Sequence, residues 1–72
     1  MEKKYWCGSK PESCDICMSK ISDMFIDGRT VYGPWANMCP ACYQQVGVGL
    51  GTGKGQKYKL EPDTCKFYKV EG

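Results

Sequence analysis

The sequence predicts a small α+β domain assembled around a four-cysteine metal site, and three observations lead there. The chain has 72 residues, too few for more than one domain or for a large core. Four of its six cysteines form two Cys-x-x-Cys pairs, Cys14 and Cys17 in "CDIC" and Cys39 and Cys42 in "CPAC". Around these pairs, runs of β-branched and aromatic residues alternate with turn signals, and only one short stretch is suited to a helix.

Size makes the cysteines central. Ordering the backbone costs about 1–2 kcal/mol per residue, and a domain this small recovers little of it by burial, so a staple is expected. The opening "MEKKYWCGSKPESC" has no apolar run of the kind a secretory signal carries, and no segment of the chain is long enough to span a membrane. Met1 opens the chain, and the expected setting is intracellular and cytoplasmic. Thiols in a reducing compartment hold metal more readily than each other, so ligation is favoured over disulfides.

The first element, "KYWCG", reads as a short strand with Tyr5 and Cys7 on one face. The first pair follows as a knuckle. Two intervening residues let both sulfurs of a tight turn point at one ion about 2.3 Å away, and two such turns complete a tetrahedron. Twenty-one residues separate Cys17 from Cys39. That gap is just beyond the usual range of roughly 15–20 for such pairs, and it is ample for a hairpin that brings the turns together. The expected ion is one structural zinc; iron is the chemical rival, because tetrahedra of four thiolates also hold it. Four thiolates close the site and leave no position to activate a water, which argues against an enzyme. Four negative sulfurs and a divalent ion also bring the formal net charge of +2 to about zero.

Within "ISDMFIDGRTVYGPW", Asp27-Gly28 is a hairpin signal, and a two-residue loop there pairs Ile26 with Arg29, Phe25 with Thr30 and Met24 with Val31. "YGPW" (32–35) reads as a turn that redirects the chain toward Cys39. Pro40 then suits the first position of a helix capped by Cys39, with Cys42 in its first turn, and the helix-start dipole favours both thiolates. "PACYQQV" supports about two turns. Each glycine beyond Val46 costs a helix about 1 kcal/mol, so Gly47 or Gly49 is the expected stop.

Five glycines follow at alternate positions, 47 to 55. This is no phosphate-cradling nucleotide loop: Gly55 follows Lys54 where a hydroxyl is needed, and Val48 stands where the first glycine should be. It is no dinucleotide fingerprint either, because "GVGLGTG" follows a helix instead of preceding one. It reads as an extended or looping strap over 47–59, with Val48 and Leu50 available to pack on the metal core. A last strand is expected at about 64–70. Cys7 and Cys65, in opposite terminal segments, read as separate buried or half-buried thiols, with a reversible disulfide as the other option.

The order of cysteine knuckle, β-hairpin and ligand-bearing helix resembles the treble-clef class of zinc finger; a zinc ribbon is the alternative. Met18 departs from the pattern, since glycine usually follows the second cysteine of a knuckle. In addition, "CDIC", "GPWANMCPAC" and "GVGLGTGKGQKY" together resemble small bacteriophage-encoded zinc-finger proteins. That resemblance implies an intracellular, non-enzymatic accessory protein and brings no mechanism with it. One domain over 1–72 is expected, with a metal core at about 12–50.

Charge points to the partner. Residues 28–60 carry Arg29, Lys54, Lys57 and Lys59 and no acid, whereas the flanking segments are each net acidic. The strap therefore reads as either a solvated connector or a contact for DNA or RNA. In the latter case Lys54, Lys57 and Lys59 meet phosphates, and Tyr58 or Trp35 offers a stacking face. The competing expectation is a protein-interaction adaptor, such as a phage product docking on a host complex, with Trp35, Tyr32 and Phe25 as its apolar patch. No small-molecule substrate is expected.

Overall fold

The computed structural model describes residues 4–72; Met1, Glu2 and Lys3, which carry part of the N-terminal charge, lie outside the described residues. The elements run β1 (Met24–Arg29), β2 (Trp35–Met38), α1 (Pro40–Val46), β3 (Gly55–Glu61) and β4 (Lys66–Glu71). The strands form one antiparallel sheet ordered β2-β1-β3-β4, with α1 packed on β1 and β2. A small α+β architecture is what the sequence predicts at this level.

The first hairpin differs from its expected form. Asp27 and Gly28 lie inside β1, where they face Asn37 and Ala36 of β2, and the chain reverses instead across 30–34. Thr30 N–H donates to the Pro34 carbonyl, Gly33 N–H to the Thr30 carbonyl, and the buried Thr30 Oγ1 to Pro34 as well. Gly28 has a different use. It sits opposite Gly55 of β3, and a Cβ on Gly28 would lie 3.0 Å from the Lys54 carbonyl oxygen and 3.1 Å from Gly55 Cα. The glycine that signals a turn in sequence is a point of close backbone approach in the sheet.

Strand alternation gives the sheet two cores on opposite faces. On one face Ile26 and Met38 pack with Cys14, Cys42 and Val46, and Ala36, Cys39, Tyr43 and Leu50 lie against them. On the other, Phe25, Tyr58, Phe67 and Ile21 are buried beneath Trp6 and Leu60. The rings make a compact set: Phe25 stacks on Tyr58 at 5.2 Å, while Phe67 and Trp6 meet Phe25 edge-on at 4.8 and 5.2 Å. Such pairs contribute about 0.5–1.5 kcal/mol each beyond the area they bury.

Both sheet edges are engaged. Lys4–Trp6 lies along β4, with Lys69 N–H donating to the Lys4 carbonyl and Trp6 N–H to the Phe67 carbonyl, so "KYWCG" pairs there through one bridge, Tyr5 to Tyr68. At the β2 edge Asp15 N–H donates to the Asn37 carbonyl at 2.9 Å, and its carboxylate accepts from Asn37 N–H at 2.9 Å. The knuckle is thereby sewn onto the strand that leads to Cys39. No helix among the described residues is long and apolar enough to cross a membrane.

Candidate metal centre and contact surface

The knuckle is built locally. Asp15–Cys17 form its turn, Met18 N–H returns to the Cys14 carbonyl at 2.9 Å, and Ile16 N–H lies 3.4 Å from Cys14 Sγ. Met18 adopts φ 66°, the left-handed conformation that glycine supplies in most knuckles. The departure seen in sequence is accommodated by the backbone, with the Met18 side chain left 72 % exposed. The second pair arrives as expected: Cys39 caps α1 in extended conformation, Pro40 opens the helix, and Cys42 is buried in its first turn. The helix ends at Gly47, whose N–H bonds the Tyr43 carbonyl.

These two turns bring Cys14, Cys17, Cys39 and Cys42 together, with all four sulfurs within 4.8 Å of one another. A tetrahedron with arms of about 2.3 Å has edges of about 3.8 Å. Cys17 Sγ and Cys39 Sγ are separated by 3.8 Å. The donor set and its dimensions fit a tetrahedral thiolate site for a metal ion.

The protein environment treats the four thiols unequally. Cys17 is lowered to about 6, first by the Ser19 hydroxyl 3.1 Å from its sulfur and then by the Ser19 backbone. Burial pushes Cys14 up, but backbone N–H groups of Cys17, Cys39 and Ile16 outweigh it, and the net direction is down. Cys42 is pushed up to about 12 by burial and then by the neighbouring sulfurs. A cation held by Cys14, Cys17, Cys39 and Cys42 would supply the positive charge that the Cys42 thiolate needs.

The glycine strap divides into two parts. Residues 51–55 make a tight turn closed by reciprocal bonds between Gly51 and Gly55, and Gly49, Gly51 and Gly53 all take positive φ, between 77° and 133°. Leu50 packs on the metal-side core as expected, whereas Val48 is exposed. Residues 55–61 are β3, one of the two inner strands of the sheet.

That division scatters the predicted contact residues. Tyr58 is 8 % exposed and stacked on Phe25, with its hydroxyl donating to Gln56 Oε1, so its ring face is spent inside the core. Lys57 and Lys59 pair with Ile26 and Met24 and so share the metal-side face. Lys54 lies in the turn, its carbonyl accepting from Arg29 N–H, and lines a cleft with Arg29 and Tyr32. Trp35 is exposed and sits directly across from Arg29. Arg29 is the contact candidate missed in sequence, and the acid-free stretch around it was the available signal. Of the proposed adaptor patch, Tyr32 and Trp35 are exposed while Phe25 is fully buried.

Cys7 and Cys65 are separate, free thiols, and both are exposed where buried or half-buried sites were expected. Each sulfur lies near a local carbonyl, of Tyr5 at 3.8 Å and Pro62 at 3.9 Å. Cys65 belongs to the β3–β4 turn at φ 57°, not to the last strand. Comparison of the chain with protein-family models, curated proteins and solved structures finds no match.

Proposed function

We propose that this is a non-enzymatic structural-zinc protein of treble-clef type that works as a small nucleic-acid-associated accessory factor. The four clustered thiols support the metal half of the reading, and the sequence of knuckle, hairpin and ligand-bearing helix supports the treble-clef half. Zinc suits four thiolates in a closed site, where it holds the fold together.

The observation that carries the nucleic-acid half is the acid-free stretch 28–60, which places Lys54 beside Arg29 next to exposed aromatic side chains. A local cationic cluster attracts phosphates even when the whole chain is near neutral, and such binding weakens steeply with salt. The test is fluorescence anisotropy of labelled DNA and RNA with the zinc-loaded protein at low and physiological salt. Salt-sensitive binding that Lys54→Ala, Lys57→Ala and Lys59→Ala together weaken is the expected result; flat titrations at low salt would sink the reading.

A protein-adaptor role has its own support in the exposed Val31, Tyr32 and Val48, which line the cleft with Arg29, and in Trp35 across from Arg29. An apolar protein contact tolerates salt and fails on aromatic substitution, which separates it from phosphate binding.

A further inference from the structure

We infer that the nucleic acid recognised at this end is unpaired, with Arg29 and Lys54 on its phosphates and Tyr32 and Trp35 stacked on its bases. The inference rests on the nucleic-acid reading and narrows it to a strand form and a set of residues.

Two arrangements point to Arg29 and Lys54 as the anion contacts. The first is the row they make: Trp35 faces Arg29 across the β1–β2 ladder, and Arg29 N–H bonds the Lys54 carbonyl on the other side. Arg29 and Lys54 also line a cleft of about 440 Å³ with Val31, Tyr32 and Val48. The second is the setting of the other two lysines. On the opposite face of the sheet Lys57 stands across from Glu71, and Lys59 across from Tyr68, with Glu61 facing Lys66 in the next row. Cross-strand opposite charges attract one another and reduce the field left for an anion. Lys57 thus faces an acid and Lys59 a tyrosine with Glu61 two residues on, while the row of Trp35, Arg29 and Lys54 holds no acid, Asp27 standing two residues further along β1.

The aromatic side chains select the strand form. Tyr32 is 73 % exposed and Trp35 49 %, and neither ring joins the stack of Trp6, Phe25, Tyr58 and Phe67. Tyr32 projects from the β1–β2 turn and Trp35 from the first position of β2. A duplex keeps its base faces stacked inside and offers such rings only its backbone. An unpaired strand offers a π-face at every base, and stacking on an aromatic side chain is tolerant of sequence. Cations that line one cleft beside exposed rings form the combination that a single strand can use in full.

The test uses the zinc-loaded protein, with short oligothymidylate, short oligouridylate and a duplex of matched length as probes. Three results are expected. Single strands bind about tenfold or more tighter than the duplex, and Tyr32→Ala with Trp35→Ala removes about tenfold or more of that affinity. The affinity falls with salt at a log–log slope of about −1.4, the value for two single-strand phosphates, where four cations would give about −2.8. Lys57→Ala with Lys59→Ala changes little, and Trp35 emission is quenched on binding while a Trp35→Phe variant, keeping only Trp6, responds weakly. Equal binding of duplex and single strand, or affinity that follows Lys57 and Lys59 and ignores the two aromatic side chains, overturns the inference and leaves the nucleic-acid reading standing. No binding to any probe at low salt overturns both.

Discussion

The two faces of the sheet hold cores of different kinds. On one, four sulfurs gather from a knuckle and a helix start, and the apolar residues around them, Ile26, Met38 and Val46, are few. On the other, Trp6, Phe25, Tyr58 and Phe67 come from four separate segments and make a core dominated by rings, with Ile21 and Leu60 beside them. β1 serves both, with Ile26 on one side and Phe25 on the other. The difference teaches where the stability of a very small domain can come from: one core gathers the donor set for a metal ion, and the other is held by area and ring geometry.

Removing the metal breaks the comparison most severely. Zinc contributes about 10–16 kcal/mol of apparent binding energy in finger peptides, whereas whole domains are stable by only about 0.05–0.15 kcal/mol per residue. Chelation, or Cys14→Ser, is therefore expected to unfold both faces, because the aromatic core shares β1 with the metal core. Acid should act in the same direction, since protons compete for the thiolates. Near-UV circular dichroism of the Trp6 environment checks this. A ring signal that survives complete metal removal would show that the aromatic core folds alone.

The next largest effect comes from the opposite face. Phe25 is fully buried, with Tyr58, Phe67 and Trp6 around its ring. Phe25→Ala is expected to cost about 3–5 kcal/mol, measured by denaturant unfolding of the metal-loaded protein. The four sulfurs lie on the other face, so a metal titration of the folded fraction should keep its stoichiometry. Loss of metal in step with the ring would mean that the two cores are one unit.

The two faces were also unequally legible in sequence. The metal side could be read because its ligands sit in local patterns: the spacing of Cys14 and Cys17, the Pro40 that opens α1, and the stop at Gly47 are each set within a few residues. The aromatic side is assembled from positions up to 61 residues apart in sequence, Trp6 to Phe67, and no periodicity joins them. Tyr58 therefore passes for an exposed stacking ring in the chain and is a core residue in the fold. Asp27-Gly28 failed for a related reason. Its turn chemistry is local, but the pairing of Gly28 with Gly55 is not, and the tertiary approach overrides the local signal.

Gly28→Ala tests that override. The added Cβ meets backbone atoms of Lys54 and Gly55 at 3.0 and 3.1 Å, and backbone gives way less easily than a side-chain tip. A loss of about 1–3 kcal/mol is expected, in the range of an overpacked core. A neutral result would restore Asp27-Gly28 to the status of an ordinary strand dipeptide. Met18→Gly should go the other way and by less. It relieves a left-handed Met at φ 66°, worth about 1–2 kcal/mol, against an entropic cost of about 0.5–1 kcal/mol for the glycine. The expected net is a stabilisation of about 0.5 kcal/mol or more, seen as a higher chelator concentration needed for unfolding.

The smallest expected effect joins the two faces. Asp27 lies on β1 beside Phe25, half-buried, and burial raises its carboxyl above the ordinary 3.8, with the Asp15 charge adding to the rise. Asp15 belongs to the metal knuckle and reaches Asn37, which stands directly across from Asp27. A carboxyl whose folded pKa is raised holds its proton more tightly in the folded chain, so stability is lost as pH rises from the ordinary value through the folded one. Below that window both forms are neutral and Asp27→Asn should make no difference; above it the variant should be the more stable. Solvent screening at this partly exposed position limits the gain to a few tenths of a kcal/mol. Melting temperatures of the metal-loaded pair between mildly acidic and neutral pH provide the measurement. A gap that favours Asp27→Asn at neutral pH and narrows toward acid shows that the folded sheet disfavours the Asp27 carboxylate, through burial first and the Asp15 charge second. A variant less stable at neutral pH would mean that the Asp27 carboxylate is a favourable partner in the sheet.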